Sequence, residues 1–355
     1  MTKETQEPLN RYISIFRRLL PTIAFAIPLY ILYVLNPASF EQTWKGRTFY
    51  LFFIWLIVLE TILSSKQPKP IQGRFKPLKL AAFAAALALP TIYVLAANNL
   101  GLNDAISSFA ASYGIVAGNP QIPLSTEYFV LTMLSVLVMA LNYGVQGLSD
   151  FSIGSVFLGA IGFIYILDGF YPFGKFTPFQ VIVPTTTQLA TGILNMLGYT
   201  TRVGYIANNP TYGSMTTLSV TGSTGGTASA AIGWPCSGIE SLIIYTITIS
   251  LFLRKSAISG WLKLLLFSVG GAVTYFINAL RIATIFIIGV DNSASGGVTS
   301  PAASLFHNYY GQLYSVTWII LYPVLIIGLQ LLSAKIRAPK PRKLPDVRPV
   351  PSTMT

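Results

Sequence analysis

Three side chains in this sequence could act together as a nucleophile, a proton carrier and a charge clamp. The only cysteine, Cys236, lies in Trp234-Pro235-Cys236-Ser237-Gly238-Ile239-Glu240, where a stretch rich in Gly, Ser and Thr gives way to a strongly apolar one. Arg281 stands inside an apolar run, in Asn278-Ala279-Leu280-Arg281, and the only histidine, His307, in Leu305-Phe306-His307-Asn308. A thiol attacks carbonyl carbon, an imidazole can take the thiol proton and return it to a leaving amine, and a guanidinium can hold a carbonyl, a carboxylate or an oxyanion.

Each residue also has a plainer explanation. A lone cysteine is often a small packing residue, a histidine beside Tyr309 and Tyr310 suits an aromatic belt, and Arg281 could pair with Glu240 or a lipid phosphate. Position argues for chemistry. Pro235 fixes the entry of the chain, and Cys236 is expected in the first turn of a helix, where backbone N–H groups favour a thiolate and can donate to an oxyanion. Ser237 and Gly238 would leave backbone open to a substrate carbonyl. Asn278 shares a helix face with Arg281. Glu240, one turn after Cys236, could orient His307, pair with Arg281 or face headgroups. The candidate catalytic set is therefore Cys236, Arg281 and His307, with Ser237, Gly238, Glu240 and Asn278 as candidate substrate-binding residues. Asp150, Asp168 and Asp291 fall at expected helix ends, where solvated acids are ordinary, and take no role.

The elements that position these residues are set by composition. The 355 residues are 53% hydrophobic and 10% charged, with a mean hydropathy of +0.61, the profile of an all-α polytopic membrane protein rather than a soluble domain. Net charge is +12, with the basic residues at the termini and between apolar runs, where topology and anionic headgroups place them; nucleic acid is a poor partner on this pattern. One cysteine excludes an internal disulfide and any cysteine cluster for metal, and no cofactor is expected. The apolar run at 19–35 follows Arg11, Arg17 and Arg18 and ends at Asn36-Pro37 without a small-residue cleavage site, so it reads as a retained anchor.

Further spans are expected at 48–63, 78–97, 127–147, 151–167, 238–253, 261–290 and 312–332, giving about eight transmembrane helices. Lys66, Lys69, Arg74, Lys76 and Lys79 mark a cytoplasmic loop, whereas 98–125 lacks Lys and Arg and reads as an outer loop. The stretch 179–197 is long enough to span but carries Pro184, Thr185, Thr186, Thr187, Gln188 and Asn195. If it lies along the outer interface, Arg254, Lys255, Lys335, Arg337, Lys340, Arg342 and Lys343 all become cytoplasmic, so that reading is adopted and both termini are inside. Residues 179–235 then form an outer segment, with alternation at 216–220 suggesting a short β-hairpin. The run 261–290 would extend ~45 Å as a helix and must tilt, bend near Gly270-Gly271 or project from the bilayer. Residues 1–333 form one transmembrane domain, with 233–332 carrying the motifs, and the basic, proline-rich 334–355 is expected to be a disordered cytoplasmic tail.

Cys-Ser-Gly opening a span, Asn-Ala-Leu-Arg in the next and His before the last together resemble the exosortase and archaeosortase family of membrane transpeptidases, over residues 233–332. The short chain, with its Gly/Ser/Thr-rich outer segment, is more similar to the archaeal branch. Pro235 stands where the family often has a small residue. The resemblance implies a cysteine peptidase of the cell membrane, active on the extracytoplasmic side. Its partners would be surface-protein precursors ending in a short motif, an apolar helix and a basic cluster. It would cleave at the motif and pass the new C-terminus to a membrane lipid as acyl acceptor. On this pattern Cys236 corresponds to the nucleophile, His307 to the base and acid, and Arg281 to the arginine that holds the substrate or oxyanion. Two other classes fit the residues: a transporter or flippase that uses Arg281 to bind an anionic solute or lipid, and a scaffold indifferent to all three side chains.

Overall fold

The computed structural model describes residues 3–41, 46–64, 76–115, 121–171, 177–209 and 213–337. In chain order these form α1 (Lys3–Leu35), α2 (Thr48–Leu63), α3 (Lys76–Asn99), α4 (Leu102–Ser112), α5 (Gln121–Tyr143), α6 (Ile153–Phe170), the one-turn α7 (Thr177–Gln180) and α8 (Val183–Met196). Then come β1 (Thr200–Asn209), β2 (Gly213–Thr221) and β3 (Thr227–Ile232), followed by α9 (Ile239–Lys255), α10 (Gly260–Asp291), α11 (Pro301–Leu305) and α12 (Gly311–Arg337). Among the described residues, six helical runs are long and apolar enough to cross a membrane: 15–35, 77–99, 121–143, 153–170, 260–291 and 301–332. α2 is a shorter apolar helix, and the 17 residues of α9 extend ~26 Å.

Side-chain bonds fix which helix ends lie together. At one end, Arg47, just before α2, forks onto Glu127 near the start of α5, with both N–O separations 2.8 Å; the Tyr50 hydroxyl donates to the same carboxylate at 2.9 Å. Tyr128 and Tyr165 both donate to the Gly46 carbonyl. At the other end, Arg18 donates to the carbonyls of Thr61 and Ser64. Glu60 accepts from the backbone N–H groups of Ile153 at 2.7 Å and Gly154 at 3.3 Å, so a carboxylate caps the positive end of α6. Phe252 and Ser256 of the α9 terminus and Ile327 and Gln330 of α12 meet Glu60 and Asp150 at this second end.

The three strands form an antiparallel meander in the order β1-β2-β3, with Leu218 aligned between Val203 and Ala230. Its inner face carries Leu218, Val220, Ala228 and Ile232, all buried. The sheet sits over the C-terminal end of α10, where a Cβ on Gly226 would stand 2.6 Å from the Val290 carbonyl oxygen. It is thus larger than the hairpin read from the sequence: the small residues of β3 pair with β2 through their backbones and need little apolar alternation of their own.

Other expectations change in kind. The loop at 98–125 contains α4 and the first turn of α5. α8 has 14 residues, ~21 Å of helix, short of the ~30 Å hydrocarbon core, and packs on α10 and the sheet. The 32 residues of α10 extend ~48 Å; its continuous helix projects into the sheet layer, and Gly270 and Gly271 serve packing, since the Tyr245 and Tyr322 rings lie where a Gly270 side chain would be. Residues 334–337, assigned to the tail, continue α12; the rest of the tail, Lys66, Lys69 and Arg74 lie outside the described residues.

Candidate active site

The sheet delivers the chain to Cys236 through a tightly built turn. Trp234 is fully buried and meets Phe179 edge-on at 5.1 Å, pinning a 3-10 turn over Trp234–Ser237. Within it the Cys236 N–H donates to the Gly233 carbonyl at 3.0 Å and the Ser237 hydroxyl donates to the Trp234 carbonyl at 2.7 Å. Gly238 follows with φ 88°, and α9 begins at Ile239.

Two expectations are corrected here. Cys236 is not in the first turn of α9: the left-handed Gly238 separates the turn from the helix, and the Cys236 N–H is already spent on Gly233, so it is not an oxyanion donor. Ser237 is fully buried with its hydroxyl occupied, so it belongs to the turn and not to a surface open to substrate. Pro235 explains the geometry, because its fixed φ suits the second position of a tight turn.

Gly238 is demanded twice over, by its positive φ and by space: a Cβ there would stand 2.5 Å from Asn278 Cγ. Asn278, fully buried on α10, donates its Nδ2 to the Cys236 carbonyl at 3.2 Å. The turn is held from a third side by α8, whose Thr186 hydroxyl lies 3.1 Å from the Ser237 carbonyl and 3.0 Å from the Tyr275 hydroxyl.

Arg281, one turn beyond Asn278, is 4% exposed. Its aliphatic stem lies against Gly311 at the start of α12, where a Cβ would stand 2.9 Å from Arg281 Cγ. The guanidinium is the shared neighbour of the site: its charge reaches Cys236, Glu240 and His307. His307 was expected in a loop before the last span. It lies instead in a π-helical turn, Phe306–Tyr310, that joins α11 to α12. Nothing in 301–310 breaks the helix, Ser300 caps it through the Ala303 N–H, and the wide turn re-aims side chains where the chain passes Arg281.

Glu240 is also 4% exposed, and its Oε1 and the Asn278 Oδ1 have no hydrogen-bond partner among the described residues. Asp168, read as a solvated helix end, is 2% exposed near the end of α6 and lies within electrostatic reach of Glu240. It is the site-proximal residue missed in the sequence.

Arg281 thus lies within electrostatic reach of Cys236, Glu240 and His307, while among the described residues no hydrogen bond joins Cys236 to His307. Burial pushes the half-buried Cys236 thiol up from its ordinary value, Glu240 adds to this, and Arg281 together with backbone hydrogen bonding at Gly233 oppose it. The resting cysteine is accordingly a thiol whose proton must leave as it attacks. Among the described residues no group of three His, Cys, Asp or Glu side chains could hold a metal ion. Comparison with protein-family models, with curated proteins and with solved structures finds no match.

Proposed function

We propose that the chain is a membrane-embedded cysteine transpeptidase acting on C-terminal sorting signals of exported surface proteins, as the likeness to exosortases and archaeosortases implies. The observation that carries this reading is the setting of Arg281, a buried guanidinium with a thiol and an imidazole both within reach of its charge. Intramembrane arginine is costly and marks function by default.

In the proposed reaction Cys236 Sγ attacks the peptide carbonyl carbon and its proton passes to the His307 imidazole. Arg281 holds the oxyanion. Collapse of the tetrahedral species breaks the C–N bond, the imidazolium protonates the leaving amine, and a thioester remains on Cys236. An amine or hydroxyl of a lipid headgroup then attacks the thioester and restores the thiol; water in its place gives hydrolysis.

Eight membrane spans accompany this reading, namely α1, α2, α3, α5, α6, α9, α10 and α12, with both termini cytoplasmic. It is supported by Arg17, Arg18 and Arg254, which fall at the end of the bundle opposite Cys236. Co-expression with a precursor that ends in a sorting signal tests the function. Cys236→Ala should leave the precursor uncleaved at wild-type enzyme levels, and processing at the wild-type rate would overturn the assignment. A transporter of anionic solute would instead survive Cys236→Ala and fail with Arg281→Ala.

A further inference from the structure

Four backbone carbonyls around Cys236 are engaged, two of them by other elements. Within the turn, Gly233 accepts from the Cys236 N–H and Trp234 from the Ser237 hydroxyl. Asn278 of α10 donates to the Cys236 carbonyl, and the Ser237 carbonyl lies 3.1 Å from the Thr186 hydroxyl of α8. That hydroxyl has one proton and three oxygens within reach: the carbonyls of Ser237 and Ile182 and the hydroxyl of Tyr275, the last two at 3.0 Å. The Ile182 carbonyl already accepts the Thr186 N–H at 3.1 Å, so the hydroxyl proton is best used on Ser237. Thr186 Oγ1 then accepts from Tyr275, and the two bonds run in one direction, Tyr275 to Thr186 to the Ser237 carbonyl, each polarising the next.

The anchors share one helix face. Tyr275, Asn278 and Arg281 follow one another at intervals of three on α10. The first bonds to the α8 hydroxyl, the second holds the Cys236 carbonyl, and the third carries a charge that acts on the thiol. Thr186 is fully buried, and α8 contains no ionisable side chain. The charged groups that act on Cys236 are Arg281 of α10 and Glu240 of α9, so α8 influences the thiol only through where it holds it.

We propose that Thr186, oriented by Tyr275, is a positioning residue that sets the place of the Cys236 thiol relative to Arg281. The attraction of a thiolate to the guanidinium and the reach of the guanidinium to an oxyanion both depend on that placement, and a misplacement of about 1 Å is enough to weaken them. The inference rests on the transpeptidase reading only for its effect on turnover; its effect on the thiol does not need that reading.

The test is a double-mutant cycle on the purified full chain in detergent, read as the midpoint of Cys236 alkylation by iodoacetamide against pH. The midpoint is used because a loosened turn also exposes the thiol and so changes the plateau rate. Arg281→Gln should move the midpoint to higher pH, and in a Thr186→Val background that displacement should shrink by about half or more. Tyr275→Phe, which keeps the ring and loses the donor, should shrink it less, and Thr186→Ser should restore it. Tyr275→Phe decides alone if Thr186→Val does not accumulate. Thr187→Val is the control: this hydroxyl is equally buried on α8 but bonds to the Val183 carbonyl of its own helix at 2.8 Å, so the full displacement should remain. A full displacement with Thr186→Val, equal loss with Thr187→Val, or no displacement in the parent chain would overturn the positioning. On the transpeptidase reading, Thr186→Val should also lower kcat for precursor cleavage roughly tenfold with KM unchanged. A shrunken displacement in a chain that cleaves no precursor would keep the positioning and reject the transpeptidase. Normal cleavage by the Thr186→Val chain with a full displacement would do the reverse.

Discussion

At Cys236 burial and two charged neighbours pull in different directions on one proton. Burial holds the thiol up, Arg281 stabilises the thiolate and Glu240 opposes it, so the order of their removal has a sign. Arg281→Gln takes away the stabilising charge, and alkylation of Cys236 near neutral pH should slow several-fold, its pH profile moving to higher pH. Glu240→Gln should move the profile the other way. Iodoacetamide kinetics against pH on the purified protein measure both; unmoved profiles would remove Arg281 from the site. Gly238 makes a second prediction at this scale. Gly238→Ala meets the left-handed φ and the Asn278 contact together, for a cost of roughly 1–3 kcal/mol, visible as a lower unfolding temperature and lost processing. Asn278→Ala, which vacates the space, should recover part of the stability when combined with it.

These residues were not equally legible in the sequence. Arg281 and Cys236 announced themselves because a charge in an apolar run and a thiol at a polar-to-apolar junction are anomalies against their surroundings. Asp168 did not, since an acid at the edge of an apolar stretch is ordinary until α6 is seen to be packed around it. The turn that holds Cys236 was hidden for another reason: Pro235 and Gly238 suit a helix start as well as a separate 3-10 turn, and only the Asn278 and Thr186 bonds, from remote elements, decide between them.

At the scale of elements, the strongest tie outside the site is the forked pair of Arg47 and Glu127, which fastens the start of α2 to α5 and is joined by Tyr50. Both side chains are buried, so neither can be left alone cheaply. Glu127→Gln or Arg47→Met should each destabilise by about 3–5 kcal/mol, because the remaining charge loses its partner inside the protein, whereas the double variant should recover much of the loss. Denaturant unfolding in detergent micelles tests this, and additive effects would show that the pair is not coupled. The pair escaped a sequence reading because Arg47 lies in a connection, where a basic residue is unremarkable. Long apolar helices, by contrast, were readable from hydropathy alone, and their ends agree with the observed ones within a few residues except at α1, whose helix begins at Lys3, well before the apolar run, and at α5, whose first turn was taken for loop. α4 and β3 were missed for lack of signal: the one is a short helix inside a polar loop, the other is built of small residues.

For the whole molecule, the structure groups the helix ends but the side of the membrane each group faces is a separate matter, read from charge. Arg17, Arg18 and Arg254 collect at the end that holds Glu60 and Asp150, while the sheet and Cys236 occupy the other. The preference of basic residues for the cytoplasmic side supports the proposed topology, in which the sheet faces outward. Tyr205 on β1 is 68% exposed, and with Cys236 as the only native cysteine, a Tyr205→Cys, Cys236→Ala variant carries one accessible thiol on the sheet. A charged, membrane-impermeant maleimide added to intact cells should label it fully. Ala257→Cys in the same background, at the end that holds Glu60 and Asp150, should react only after permeabilisation. The reverse pattern would put the thiol, the imidazole and Arg281 on the cytoplasmic side. Exported precursors present their folded domains outside, so an inward-facing Cys236 could not reach them, and the transpeptidase reading would fall with the topology.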